Sequence, residues 1–234
     1  MNSFINPSSI APFDATSFYW LGSTSAGETY CVTTGNKEKN RSLNSDLILG
    51  ATGSGGPSST YNYLLSHLIG SKTKVVHGYQ GPQDLLLAID RDEIDAFCSF
   101  SLSGIEDLWG DRLASGDLHL IYAFPNSAHQ TPYRNSINAL DLVKPEDVEA
   151  VETFLSQQSF SEPYGVPIST SATTRTALRL AFEKTIASNE FRSAHNRKIA
   201  ATSTANGVEV TTAISKIINA SPETQIRIQQ IVTR

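Results

Sequence analysis

Long apolar runs and an excess of positive charge are both missing from this sequence of 234 residues. No stretch approaches the roughly 20 apolar residues that span a bilayer, so we expect no direct membrane insertion. The opening residues, MNSFINPSSIAPFD, lack the basic and apolar segments of a signal peptide. Lys and Arg number 18 against 23 Asp and Glu, which gives a net charge of −5. Because neutralising phosphates requires clustered Lys and Arg, we expect no nucleic-acid partner.

Motifs for catalysis and for nucleotide binding are also missing. The glycine-rich stretch GATGSGGPSST, at 50–60, has no lysine after its glycines as a P-loop does, and its glycine spacing differs from the Rossmann pattern. No serine lies in a G-x-S-x-G elbow, and the five histidines show no metal-ligand spacing. The sequence therefore predicts no metal site and no cofactor. An enzyme with this stretch as an anion hole stays open as an alternative, but no residue supplies its nucleophile or base.

The glycine-rich stretch is the strongest feature that is present. It lies between an apolar run at 47–49 and a run at 61–69 with a helical apolar stripe that ends at Gly70. Small residues there expose backbone N–H groups at a helix N-terminus, where the macrodipole favours an anion. The alternative interpretation is that these residues form a tight turn without any ligand contact, in which Ser58 or Ser59 caps the helix. Four glycines within seven positions exceed what a cap needs, so we favour contact with an anionic ligand.

Strand-like and helix-like segments alternate between residues 46 and 124. This alternation predicts an α/β layer with mostly parallel strand pairing. A pair of strand-like segments, 17–23 and 28–34, precedes this unit, and from about residue 144 the chain becomes mainly helical. The later helices are amphipathic and need a sheet to cover, and the unit at 46–124 accounts for only some of them.

Two cysteines, Cys31 and Cys98, lie in strand-like segments. Two interpretations stay open at this point, a pair of buried small hydrophobic residues or a disulfide. A C-x-x-C motif is absent, so neither a redox nor a zinc motif is expected.

Three segments together resemble one family. FDATSFYWLGS, at 13–23, is similar to its F-D-P-x-x-F-x-W-I-G-S. The segment at 47–96 is similar to the family pattern G-x-T-G-x-G-S…L-x-N-x-L-L-G-T-K-F-K-V-V-x-G-Y-x-G…L-A-x-E-R-G-E-V-D-G. The segment TTRTALRLAFEKTIASNEFRSAH, at 173–195, is similar to the later family pattern R-x-x-A-L-R-x-A-F-x-x-x-x-x-D-P-x-F. The family is the extracytoplasmic solute receptor of tripartite tricarboxylate transporters, a two-lobed periplasmic binding protein.

The resemblance implies a periplasmic-binding-protein-like, three-layer α/β lobe with a mostly parallel sheet, plus C-terminal helices of an incomplete second lobe. Residues 1–28 would be a remnant of lobe one and the hinge entry, 29–150 a complete lobe two, and 151–234 a return segment with C-terminal helices of lobe one. It also implies a periplasmic, non-catalytic binding protein that delivers a small di- or tricarboxylate to the membrane subunits of a tripartite transporter. A free-standing or oligomerising α/β module with a non-transport role stays open as the alternative.

The expected site lies at the carboxyl ends of three neighbouring strands, where open α/β sheets bind ligands. By the resemblance, the loop after the first strand forms one jaw around a carboxylate, with the next turn and the end of the following strand beside it. Tyr79 can instead serve packing alone, and the same alternative holds for Ser99 and Ser101. The predicted ligand-binding residues are Thr52, Gly53, Ser54, Gly55, Gly56, Ser58, Ser59, Tyr79, Ser99 and Ser101.

Departures from the family pattern matter in two places. Asp92 stands where the family has the turn glycine of R-G-E-V-D-G. Members also begin with a signal peptide and a lobe-one segment that carries a further glycine-rich loop, and we expect this chain to lack both. Since that loop would form the opposing jaw, we expect this chain alone to bind carboxylates weakly or not at all.

The resemblance also bears on the cysteines, because some members carry cysteine at both equivalent positions. It therefore implies a disulfide between Cys31 and Cys98, across a separation of 98 − 31 = 67 residues. In the chain-entropy model, a disulfide that closes such a loop stabilises the fold by about 4 kcal/mol.

Overall fold

The structure is a computed structural model that describes residues 14–35, 46–70, 73–125, 136–195 and 203–233. Residues 1–13 of the predicted lobe-one remnant lie outside these ranges. The strands are β1 Phe18–Ala26, β2 Thr29–Thr34, β3 Ile48–Ala51, β4 Lys74–His77, β5 Phe97–Ser101, β6 Leu118–Phe124, β7 Ile137–Asn138, β8 Pro163–Pro167 and β9 Ser203–Asn206. The α-helices are α1 Pro57–Ile69, α2 Pro82–Asp90, α3 Leu102–Ser115, α4 Val148–Leu155, α5 Ala172–Ala187, α6 Asn189–His195, α7 Gly207–Ile218 and α8 Pro222–Val232.

The larger sheet consists of four strands in the order β5-β2-β6-β7 and of the pair β3-β4, which one bridge joins to β5 so that the strands follow the order β4-β3-β5-β2-β6-β7. β3 pairs in parallel with β4 and, through one bridge between Leu49 and Ala96, with the chain entering β5. β6 pairs in parallel with β7, whereas β2 lies antiparallel between β5 and β6. All of these strands except β2 therefore run in one direction, which confirms the predicted α/β layer with a mostly parallel sheet.

Helices cover both faces of this sheet and make a three-layer lobe. α1, α4 and α8 pack with Leu49 and Phe124 in a first apolar cluster, and α2 and α3 pack with Val32 and Phe97 in a second. The alternation of side chains along each strand explains the two clusters, because neighbouring residues of one strand point to opposite faces.

Cys31 and Cys98 lie opposite each other on β2 and β5 and form a disulfide, with their Cα atoms 3.9 Å apart. Both residues are fully buried. The disulfide that the resemblance implied is therefore confirmed, and it joins the one antiparallel strand of the larger sheet to a parallel strand.

A smaller sheet has the strand order β8-β1-β9, with both outer strands antiparallel to β1. α7 packs against Trp20 of β1 in a third apolar cluster. The neighbouring Tyr19 points to the other face, where its hydroxyl accepts a hydrogen bond of 2.8 Å from Arg179 of α5. None of the side chains of α5 is buried.

The segment in which the chain passes from the smaller sheet to the larger sheet lies next to the segment in which it later returns to the smaller sheet. β1 continues into β2 across Gly27 and Glu28 alone, so the two opening strands belong to different sheets and do not pair with each other. The Gly27 N–H donates to the carbonyl of Gln158 at 3.0 Å, close to the point where the chain returns to β8. The two crossings therefore lie side by side.

The packing of α8 differs from what the predicted domain boundaries imply, since these boundaries assign all of 151–234 to lobe one. Its Ile228 and Ile231 lie in the first apolar cluster, on the larger sheet. The buried carboxylate of Asp147 also contacts Arg227 of α8, with Nε at 2.5 Å, and His67 of α1, with Nε2 at 2.7 Å. α8 is thus tied to the larger lobe, while the domain boundaries themselves stay a prediction.

Asp92 has a φ of 61°, in the left-handed region, just after α2 ends. The resembled family has glycine at this position, and glycine adopts this backbone conformation without the steric cost that a Cβ brings.

We expect Asp92→Gly to raise the free energy of unfolding by up to about 1 kcal/mol, because the relieved steric cost of about 1–2 kcal/mol exceeds the entropic cost of about 0.4–1 kcal/mol that glycine brings through the unfolded chain. Urea denaturation measures this change. Arg91→Gly is the matched control, because Arg91 lies in the same exposed turn with a φ of −92° and should lose stability on substitution. An equal loss of stability in both variants would contradict the prediction.

The carboxylate of Asp147 links pH to stability. Burial alone would raise its pKa, but the hydrogen bonds from Arg227 and His67 outweigh burial and hold the pKa below its ordinary value of 3.8. Because the pKa in the folded state lies below that in the unfolded state, this group stabilises the fold fully above its ordinary pKa. The contribution is lost as the pH falls through the folded-state pKa.

We expect Asp147→Asn to lower the free energy of unfolding by about 2 kcal/mol at neutral pH, since it weakens two hydrogen bonds to a buried group. The deficit should shrink as the pH falls below the ordinary pKa, which urea denaturation at a series of pH values measures. The exposed Asp141, changed to Asn, serves as the control and should alter stability little. A deficit independent of pH would count against the prediction.

Candidate functional site

The carboxyl ends of β3, β4 and β5 lie side by side at one edge of the larger sheet. Ala51, the last residue of β3, pairs with His77, the last residue of β4. On the other side of β3, the Gly50 N–H donates to the carbonyl of Ala96 at 2.9 Å. The structure therefore brings together the glycine-rich loop, the turn after β4 and the end of β5, as the sequence predicts.

The glycine-rich loop, residues 52–56, connects β3 to α1. Ser54 and Gly55 are exposed, and Gly55 has a φ of 83° that suits only glycine without strain. Within the part of the chain that the structure describes, the backbone N–H groups of Gly53, Ser54 and Gly55 have no hydrogen-bond partner. These three donors are available to a ligand that accepts hydrogen bonds.

Three helices begin at this edge, and they differ in what lies near their first N–H groups. The Ser101 hydroxyl caps α3 and accepts from the Gly104 N–H at 3.2 Å. At α2, the Asp84 carboxylate accepts from the Gln80 N–H at 3.2 Å and places a negative charge in the first turn. α1 follows Gly56 with neither a side-chain cap nor an acidic residue in its first turn. Among the three, α1 is therefore the helix best suited to an external anion.

Ser58 and Ser59 lie beneath the loop. The expectation that one of them caps α1 is wrong, because the cap position is Gly56 and both serines lie inside the first turn. The Thr52 N–H donates to the Ser58 hydroxyl oxygen at 3.1 Å, and the Ser59 hydroxyl donates to the carbonyl of Gly53. Both serines are buried. Their contact with a ligand stays a prediction, and Ser59 would first have to release Gly53.

Tyr79 lies in the turn after β4 and is half-buried. It packs against the second apolar cluster, and a Cβ added to Gly50 would lie 3.4 Å from its ring. Burial and the charge of Glu93 raise the pKa of the Tyr79 hydroxyl, so this group stays a neutral hydrogen-bond donor. These contacts support a packing role, and contact with a ligand stays a prediction.

Ser99 lies in the middle of β5 and Ser101 at its end. Ser99 has a φ of 96°, an uncommon value for a residue other than glycine. β2 pairs with the residues on both sides of Ser99 but not with Ser99 itself, so Ser99 is the extra residue of a β-bulge. Both serines are partly exposed at the predicted edge, and their contact with a ligand stays a prediction.

Asn62 is a residue of this edge that the sequence analysis missed. Its side chain is fully buried; Nδ2 donates to the carbonyl of Gly50 at 2.8 Å, and Oδ1 accepts from the Cys98 N–H at 3.1 Å. The family pattern carried no signal for it, because the asparagine of L-x-N-x-L-L-G-T-K-F-K aligns with Ser66 and not with Asn62.

A cavity elsewhere on the larger lobe is unsuited to a carboxylate. It has a volume of about 640 Å³ and lies between α4 and α8. Glu146, Glu149 and Glu223 line it and would repel an anion. In the ranges that the structure describes, no three His, Cys, Asp or Glu side chains cluster as a metal site requires. The helices of those ranges are all too short or too polar to cross a membrane.

The fold is similar to that of solved solute-binding proteins. A TctC solute-binding protein from Polaromonas, without ligand, has a TM-score of 0.64 at 12% identity, over 94% of this chain and 72% of the other. MatC from Rhodopseudomonas palustris, with bound malate, has a TM-score of 0.57 at 12% identity, over 90% and 69%. An R. palustris protein with adipate has a TM-score of 0.60 at 11% identity, over 95% and 72%.

At such low identity the likeness establishes the fold, which is the periplasmic-binding-protein-like α/β fold that the resemblance implied. No protein-family model and no curated protein matches the chain. The names of the structural neighbours describe binding and transport rather than catalysis.

Proposed function

We propose that this chain is a solute-binding protein for a small carboxylate. The observation that carries the proposal is the start of α1, where the N–H groups of Gly53, Ser54 and Gly55 and an uncapped helix N-terminus come together. Such a site binds an anion without Lys or Arg, which suits a chain with a net charge of −5. The malate and adipate bound in two structural neighbours support a carboxylate as the anion.

The residues around α1 suggest how the ligand is held. Ser54 and Gly55 would donate their N–H groups to one carboxylate, with Thr52 and Gly56 completing the loop around it. Tyr79, Ser99 and Ser101 lie along the same edge and would reach the rest of the molecule. A molecule with a second polar group, such as a di- or tricarboxylate, therefore fits the edge better than a monocarboxylate.

We infer further that the protein is the periplasmic receptor of a tripartite transporter and delivers its ligand to the membrane subunits. The support is the resemblance of the motifs at 13–23, 47–96 and 173–195, together with the names of the structural neighbours.

The affinity should be low, because by the resemblance of the motifs these residues form one jaw of a two-jaw site. A ligand held from one side keeps much of its contact with water and gains few contacts against the entropy lost on binding. A Kd of about 1 mM or weaker follows, which is a binding free energy of about −4 kcal/mol.

We expect malate and adipate to shift the amide resonances of Ser54 and Gly55 in an NMR titration, with a Kd in the millimolar range. 1,4-Butanediol, which lacks carboxylates, should leave them unchanged. Ser54→Asp should remove binding, because it places a negative charge at the helix N-terminus. The exposed Ser215 of α7, changed to Asp, is the matched control and should preserve it.

Two results would count against this account. Micromolar binding would contradict the one-jaw site, and the absence of any shift at the highest carboxylate concentration would contradict carboxylate binding itself.

The exposed apolar side chains of α5 favour a second candidate function, a free-standing module that associates through this helix. Leu178 and Leu180 of α5 are 38% and 53% exposed, and Tyr164 and Ile168 nearby in sequence are each 50% exposed. Exposed apolar side chains on one helix that buries none of its residues are typical of a surface that binds another protein.

Light scattering over a range of protein concentrations separates the two candidates. A receptor should stay monomeric, whereas the associating module should form dimers or larger species that Leu180→Glu weakens because it replaces the most exposed apolar side chain of α5 by a charged one. The exposed Leu108 of α3, changed to Glu, is the control on the other lobe. A monomer at all concentrations would exclude the second candidate.

A further inference from the structure

The side-chain amide of Asn62 lies between the carboxyl end of β3 and the first residues of β5. Its Nδ2 donates to the carbonyl of Gly50 at 2.8 Å, and its Oδ1 accepts from the N–H of Cys98 at 3.1 Å. The side chain is fully buried, so water does not substitute for either bond.

These two bonds replace one rung of the parallel ladder. The Gly50 N–H donates to the carbonyl of Ala96 at 2.9 Å, as a parallel pairing requires. In a continued ladder, the next bond would run from the Cys98 N–H to the Gly50 carbonyl. The Asn62 amide occupies that position and satisfies both groups, so β3 and β5 separate by the width of an amide.

Ser99 follows directly and has a φ of 96°. Cys98 before it is held on both sides, by the disulfide to Cys31 of β2 and by the hydrogen bond to Asn62. A non-glycine residue with positive φ persists only where its surroundings determine the backbone around it. The two attachments of Cys98 are such surroundings.

We propose that Asn62 is a positioning residue of the ligand site. It holds the end of β3 apart from the start of β5 and fixes Ser99 in its positive-φ conformation beside the glycine-rich loop. The effect on ligand affinity rests on the proposed carboxylate binding, whereas the effect on the backbone of Ser99 does not.

The native protein provides the first test. In a uniformly ¹³C,¹⁵N-labelled sample, a scalar coupling across the hydrogen bond should join the Cys98 nitrogen to the side-chain carbonyl carbon of Asn62. Its absence, or a coupling to the carbonyl carbon of Gly50, would overturn the proposal because the ladder would then be continuous.

Variants provide the second test. The native protein should show a strong NOE between the N–H and Hα of Ser99, which is the signature of positive φ. Asn62→Ala should weaken this NOE to the level of extended residues, because the Cys98 peptide loses its attachment. Asn62→Asp has nearly the same shape, and its neutral carboxylic acid accepts from the Cys98 N–H and donates to the Gly50 carbonyl, so at acidic pH it should retain a stronger NOE and provides a second folded variant.

Gln158→Ala is the matched control. Gln158 is a buried amide that donates to the Tyr61 hydroxyl at 3.0 Å, so this variant also loses a buried hydrogen bond on α1 but leaves β3 and β5 untouched. It should lower stability and preserve the Ser99 NOE. An unchanged Ser99 NOE in Asn62→Ala, or an equal loss in the control, would overturn the proposal.

Affinity for malate separates this proposal from the proposed function. Asn62→Ala should weaken malate binding at least tenfold relative to the native protein, and Gln158→Ala should change it less than twofold. A native protein that binds neither malate nor adipate would end the carboxylate proposal, and the coupling and NOE results would still decide the role of Asn62. Equal malate affinity in Asn62→Ala and native protein would overturn the positioning role.

Discussion

Buried backbone N–H and C=O groups must find hydrogen-bond partners, and this constraint organises the end of the larger sheet. β3 and β5 can separate and leave room for a ligand only if another group forms hydrogen bonds to the backbone N–H and C=O groups that would otherwise bond to each other. The amide of Asn62 does so, and it comes from the second turn of α1. The same helix therefore separates the strands and presents its own N-terminus at the gap. Loop, helix and strand ends form one rigid unit because two buried bonds connect them.

The other end of α1 is held just as firmly. His67, in its last turn, contacts the buried carboxylate of Asp147, and Arg227 brings α8 to the same carboxylate. A helix of 13 residues is about 20 Å long, so α1 transmits this attachment to the loop at its N-terminus. The placement of α8 on the larger lobe thus helps to fix the helix whose N-terminus forms the proposed site.

Local patterns in the sequence predicted much of this architecture. The apolar periodicity, the Pro residues at helix starts and Gly70 at a helix end located the strands and helices. These signals act between residues that are close together in the sequence. Contacts between residues that are distant in the chain could not be predicted from these local signals. The separation of β1 from β2, the packing of α8 and the bulge at Ser99 depend on partners distant in the chain. Asn62 was missed for the same reason, since its two acceptor and donor partners, on β3 and β5, are 12 and 36 residues away.

The two sheets differ in how far their helices are covered. The larger sheet buries a face of α1, α2, α3, α4 and α8, and the smaller sheet buries a face of α7. The helix α5 contacts the other face of the smaller sheet, where Arg179 donates to Tyr19, without burying a residue. Cover for the apolar side chains of α5 would therefore have to come from outside the described residues.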